Sequence, residues 1–275
     1  MIVHFRSAVL AAGLAAAVLY GSTPAQATER IVITGSSTIA PLIAEIAKRF
    51  EQQHPDVRID VQTGGSHRGL NDARRGLADI GMVSRALKDD ERDVTPIVLA
   101  YDGVTMIVHK DNPVAELSKA QIVDIYTGKI ENWSALGGPD KDIVVVNKAE
   151  GRSTLESFVE YFSVQTKDIK ADAVVGDNEQ GIKTVAGSPY SIGYVSIGNA
   201  EYDAGKGVPI KLLPLEGVPA SRETVANQKF PIVRPLNLVV SKEPTGVVRE
   251  FIQFATSRDV RDVVESFYYV PPQID

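Results

Sequence analysis

The chain has 275 residues, 44% of them hydrophobic, with a formal net charge of −6 and no cysteine. That length and composition suit one or two domains with a sizeable core. The acidic balance disfavours a nucleic-acid binder, and the missing thiols exclude disulfides, thiol catalysis and cysteine-ligated metals.

Arg6 precedes an apolar run from Ala8 to Tyr20, and Ala25-Gln26-Ala27 follows. This is the pattern of a secretory signal peptide over residues 1–27, with an apolar run too short to span a membrane. The mature protein is therefore expected to be exported to the periplasm, with free secretion as the alternative.

Ile31 to Thr34 is rich in β-branched residues and reads as a buried strand. Gly35 breaks it, Ser36-Ser37-Thr38 follow, and Ile39, Leu42, Ile43, Ile46 and Phe50 then recur at helical spacing. Pro41 falls in the first turn, where its missing N–H costs little. A strand running through such a turn into a helix gathers free N–H groups and hydroxyls at the positive end of the helix dipole. It is a ready anion site, or else a plain helix cap. Val57, Ile59 and Val61 alternate with polar residues, a half-buried strand that ends at TGGSHRG. Ser66 there precedes a short helix, Leu70 to Arg75, stopped by Gly76. Ala78 to Val83 is the next strand and opens into Ser84-Arg85. Three successive strands thus end in a serine-bearing loop, and α/β sheets bind ligands at the carboxyl ends of their strands.

Ile97 to Ala100 and Val104 to His109 read as two strands around Tyr101-Asp102-Gly103, with a first domain crossing near His109. Ser118 and Gln121 form a capping box, and YTGKIENW follows that helix. Ile143 to Val146 is a buried strand leading into Lys148, Ala149, Glu150, Gly151, Arg152, Ser153 and Thr154. Ser153 and Glu156 read as a second capping box, so the strand, polar turn and helix of the opening stretch recur, now with two cations. A short helix is expected over Gly181 to Ala186, strands over Tyr190 to Val195 and Ile210 to Leu213, and loop over Gly217 to Gln228. Ile232 to Val240 reads as a long strand bent at Pro235, the second crossing, and two helices, Thr245 to Ser257 and Arg258 to Tyr268, close the chain.

Hydroxyls and cations at strand-to-helix turns in both halves suit a small tetrahedral oxyanion, whose four oxygens need many donors at once. Each has a plainer reading: a serine as a helix cap, Arg85 and Arg152 as surface residues, Lys148 beside Glu150 as an exposed ion pair. Trp133 reads as packing. No GxSxG elbow occurs, and His54, His67 and His109 lack metal-ligand spacing. No metal, cofactor or catalytic role is expected.

GSSTIAPL, the GGS turn, ADIGMVSRAL, YTGKIENW, AEGRSTLESF and PLNLVV together resemble the PstS-type phosphate-binding proteins of bacterial ABC importers, over essentially the whole mature chain. The resemblance implies an α/β fold of the two-lobed periplasmic-binding-protein kind (type II), with two crossovers and the ligand in the interlobe cleft. Residues 28–108 with 237–275 would form one lobe and 109–236 the other. It further implies a monomer that captures inorganic phosphate, catalyses nothing and delivers its ligand to a membrane permease. The site residues expected are Ser36, Ser37, Thr38, Ser66, Ser84, Arg85, Lys148, Gly151, Arg152, Ser153 and Thr154. Four positions depart from the family pattern: Arg85 stands where an acidic residue follows the third serine, Lys148 where an arginine opens the fourth turn, Arg152 in place of a serine and Ser153 in place of a glycine. Arg85 and Lys148 are both expected to face the anion, one from each lobe. Without the acid, selectivity for a protonated anion must come from elsewhere, with Glu150 the first candidate. The alternatives are a binding protein for sulfate, molybdate or another oxyanion, or a secreted phosphatase or hydrolase.

Overall fold

The computed structural model describes residues 29–273, so the signal-peptide segment lies outside the described residues. Among the described residues nine strands form one sheet, eight of them in a single path and the ninth branching from it. The first part holds β1 (Glu29–Gly35), β2 (Val57–Thr63) and β3 (Ile80–Val83), all parallel with β1 in the middle. Parallel pairing puts the carboxyl ends of these strands at one edge, and with them the three serine loops.

The next strand, β4 (Thr95–His109), departs from expectation. The two strands expected around Tyr101-Asp102-Gly103 are one. Gly103 makes no turn; it is glycine because a Cβ there would lie 2.6 Å from Ile197 Cδ1. The partners of β4 change along its length. Thr95 to Gly103 pairs with β9 (Val233–Val240), and Val104 to Val108 pairs with β7 (Ser191–Ser196). The change of partner therefore falls between Gly103 and Val104. The other part of the sheet adds β5 (Val144–Lys148), β6 (Ala173–Val175) and β8 (Ile210–Leu212).

Two main cores follow. In the first, α1 (Ala40–Gln53) buries Leu42, Ile43, Ile46 and Phe50, the residues its spacing marks as apolar. They pack on α8 (Gly246–Ala255) and α9 (Arg261–Ser266), with Phe50 edge-on to Phe251 at 5.4 Å. This core thus joins the two ends of the chain. In the second core, α3 (Lys119–Tyr126) and α4 (Ser153–Phe162) bring Tyr126 and Phe158 against Tyr194, with Phe158 stacked on Tyr194 at 4.2 Å. Trp133 is fully buried there and donates Nε1–H to the Tyr190 carbonyl at 2.8 Å, a packing role. Each such side chain contributes roughly 1.5–3 kcal/mol on burial.

Several boundaries move. α2 (Ser66–Arg75) begins at Ser66 itself rather than at Leu70. α5 (Asn178–Ala186) begins earlier than Gly181 because Asp177 caps it, its side chain accepting from Gln180 N. α6 (Ile197–Gly205) follows β7, and a short α7 (Arg222–Ala226) interrupts the expected loop. The Ser118 capping box forms as expected. The Ser153 box does not: Arg152 is the cap residue, no side chain caps the helix, and Glu156 is engaged elsewhere. No helix among the described residues is long and apolar enough to cross a membrane.

Candidate functional site

The three serine loops converge. Ser36 Oγ donates to Ser84 Oγ at 2.9 Å, and Ser84 N donates to Ser66 Oγ at 3.2 Å. Ser36 Oγ also accepts from Thr38 N at 3.2 Å. Ser36, Thr38, Ser66 and Ser84 are all buried. Ser37 is half-buried and lines a small cavity with Asn178, Asn199 and Asp203, to one side of the cluster.

Facing them across the interlobe seam, the end of β5 supplies Lys148, and the turn to α4 supplies Gly151, Arg152, Ser153 and Thr154. Gly151 has φ +76°, a conformation glycine adopts freely, and its carbonyl accepts from His67 N across the seam at 3.2 Å. The approach there is close: a Cβ on Gly65 would stand 2.6 Å from Gly151 O and 2.8 Å from Arg152 Nη1.

Arg234 ties the two sides together. It lies on β9, is 3% exposed, and pairs with Asp102 of β4 at 3.0 Å. Its Nη2 donates to Thr38 Oγ1 and its Nη1 to Thr154 Oγ1, each at 3.2 Å. Asn178 Nδ2 donates to the same Thr38 hydroxyl at 2.9 Å. The sequence reading passed over Arg234, Asp102 and Asn178. A signal was present for Arg234: it shares a strand face with Leu236 and Leu238, and a cation on a buried face demands a partner.

Lys148 is 3% exposed and donates Nζ–H to the Asp177 carbonyl at 2.7 Å. Burial pushes its pKa down to about 7; Arg234 and Arg152 add to this and Asp177 opposes it. Burial likewise lowers the pKa of Arg152. Among the described residues six buried side-chain polar atoms have no hydrogen-bond partner, and three of them meet here: Arg152 Nε, Arg152 Nη1 and Ser153 Oγ. The first N–H groups of α4 also have no acceptor within the helix. Unpaired buried donors beside a desolvated cation are costly unless something accepts from them, and an anion does.

Arg85 has other partners. Its Nη1 and Nη2 bind Glu91 at 2.6 and 2.7 Å, and its Nε binds Glu156 at 2.9 Å. The Arg85 guanidinium holds the Glu91 carboxyl down at about 2. The Arg85 guanidinium is thus engaged by two carboxylates, whereas among the described residues Lys148 and Arg152 have no carboxylate partner and Arg234 pairs with Asp102. Glu150 is exposed on its turn. Asp102 has both oxygens engaged, by Arg234 and by Gly198 N. No cluster of metal-ligating side chains occurs among the described residues.

The chain is similar to known proteins over most of its length. The profile of the PBP superfamily domain matches residues 22–259. The phosphate-binding protein PstS of Bacillus subtilis is 30% identical over 252 residues, covering 90% of this chain and 82% of that one. A crystal structure from Clostridium perfringens, assigned as a phosphate ABC transporter substrate-binding protein with bound phosphate, superposes with a TM-score of 0.82 at 32% identity. It covers 89% of this chain and 100% of its own. An ABC-type phosphate transport receptor from Vibrio cholerae superposes with a TM-score of 0.70 at 28% identity, covering 88% of this chain and 100% of its own. With sequence and fold in agreement over nearly the whole length, the chain belongs to the PBP superfamily and, within it, to the PstS-type phosphate-binding proteins.

Proposed function

We propose that the protein captures inorganic phosphate between its two lobes and delivers it to the membrane permease of an ABC importer. The observation that carries this reading is the set of unpartnered buried donors on Arg152 and Ser153, opposite a buried hydroxyl cluster. A tetrahedral oxyanion between them would accept from Arg152, Ser153, the α4 N–H groups and the serine hydroxyls, with Lys148 and Arg234 supplying charge. The first lobe comprises the two ends of the chain and the second its middle, hinged on β4 and β9; the change of pairing at Gly103 supports this division. A single chain supplies both halves of the donor set, so it acts as a monomer. The protein is exported by its signal peptide to the periplasm and catalyses no reaction; the named relatives are binding proteins.

Calorimetric titration of ligand-stripped protein with phosphate, arsenate, sulfate and molybdate tests the reading. Phosphate and arsenate, alike in protonation and shape, are expected to bind most tightly. Tighter binding of sulfate or molybdate would replace phosphate as the ligand, and no binding of any oxyanion would overturn the site.

A further inference from the structure

Glu156 stands in the first turn of α4, where the sequence calls for a capping box, yet its carboxylate leaves the helix end. Oε2 accepts from Arg85 Nε at 2.9 Å. Oε1 accepts from Lys88 Nζ at 2.6 Å and pairs with His67 Nε2 at 3.1 Å. All three partners belong to the first lobe, and Glu156 to the second. Its contacts therefore exist only while the lobes are together.

Arg85 is held ready for this. Its two-pronged pair with Glu91 lies within the first lobe and survives opening, leaving Nε aimed at the seam. Lys88 N–H also donates to Glu91 at 2.8 Å, which fixes the segment carrying both cations. Two of the four side chains are largely buried and two are about half exposed: Arg85 9%, Glu156 22%, His67 47% and Lys88 52%. The cluster thus sits at the rim of the seam, beside the proposed anion site rather than in it.

We propose that Glu156 is a latch, a positioning residue that holds the lobes closed and so sets how long the bound anion stays, without touching it. This rests on the phosphate reading above. A carboxylate in contact with the anion would repel it; one paired with the cations Arg85 and Lys88 does not. An interaction present only in the closed state slows release and leaves encounter with the open state unchanged. Because half of the cluster is exposed, salt is expected to weaken it.

The test is the release of labelled inorganic phosphate from the full mature chain after an excess of unlabelled phosphate is added. Glu156→Gln is expected to release phosphate about 3- to 30-fold faster, with association within about twofold of wild type. Lys88→Met is expected to accelerate release less, and to add nothing on the Glu156→Gln background. Wild-type release rates in both variants, or independent effects of the two substitutions, would overturn the latch. If Glu156→Gln fails to fold by circular dichroism, Lys88→Met decides: faster release supports the latch, an unchanged rate overturns it. Should the wild-type protein retain no phosphate, the function reading falls instead. The latch is then read from small-angle scattering, where a more open Glu156→Gln or Lys88→Met supports it and equal radii of gyration overturn it.

Discussion

Removing Arg152 separates a ligand-binding role from a structural one. Arg152 Nε and Nη1 have no acceptor within the protein, so Arg152→Ala breaks no hydrogen bond through them. The melting temperature of the stripped variant is therefore expected within about 2 °C of wild type, as for a change of less than about 1 kcal/mol in a chain of this size. With phosphate the two proteins part. A charge-assisted hydrogen bond to a desolvated partner contributes about 1.5–3 kcal/mol, which corresponds to about a 10- to 150-fold loss of affinity. At phosphate concentrations about 100 times the wild-type Kd, ligand stabilises the wild type by about 2.7 kcal/mol. At about 2–4 °C per kcal/mol that is a shift of about 5–11 °C. A variant weakened about 100-fold keeps only about 0.4 kcal/mol, a shift of about 1–2 °C. Thermal scanning with and without phosphate measures both quantities. A full wild-type shift in Arg152→Ala, or a fall of more than about 5 °C without phosphate, would refute the assignment.

Asp102→Ala leaves Arg234 buried without its carboxylate, and denaturant titration is expected to show a loss of about 3–5 kcal/mol. Lys148 has a native pKa of about 7 against an ordinary 10.5. The unfolded chain then holds more protons between those values, so this group's burial penalty is fully present below pH 7 and is relieved as pH rises toward 10. Stripped protein is expected to gain stability over that range relative to Lys148→Met, and equal slopes in chemical denaturation from pH 7 to 9 would refute it. Gly65→Ala places a Cβ against Gly151 O at a residue with φ +90°. It is expected to block closure, so phosphate should no longer reduce the radius of gyration in solution scattering, whereas it does so in wild type.

The sequence shows the strand, turn and helix devices clearly because each is local: Ser36 after Gly35, Ser84 after Val83, and Ser153 at the start of an apolar helix face. It shows poorly whatever depends on two distant segments meeting. Arg85 follows a site serine by one residue, yet Glu91 and Glu156 decide where its guanidinium points. Ser153 and Glu156 have the spacing of a capping box, but three groups from the other lobe outcompete the helix end for the carboxylate. Arg234 is far in sequence from Asp102, Thr38 and Thr154, and only the pairing of β9 with β4 brings it beside Asp102. Tyr101-Asp102-Gly103 has the composition of a turn but runs as strand, because Asp102 pairs with Arg234 and Gly103 leaves room for Ile197.

The position of β9 bears on the order of folding. This last strand lies between β3 and β4, with Asn237 to Val239 against Val83 to Gly81 and the same strand against Thr95 to Gly103. Until it arrives, the two edges it joins carry unpaired backbone donors and acceptors, and the apolar face of α1 lacks the cover of α8 and α9. The second lobe is nearly contiguous in sequence and can form while the first still waits. A nascent chain therefore passes through a state with one finished core and one open-edged sheet, the kind of edge that pairs with a neighbouring chain. Cutting the chain before Val233 would make that state permanent, and the truncated protein is expected to aggregate through its amino-terminal half.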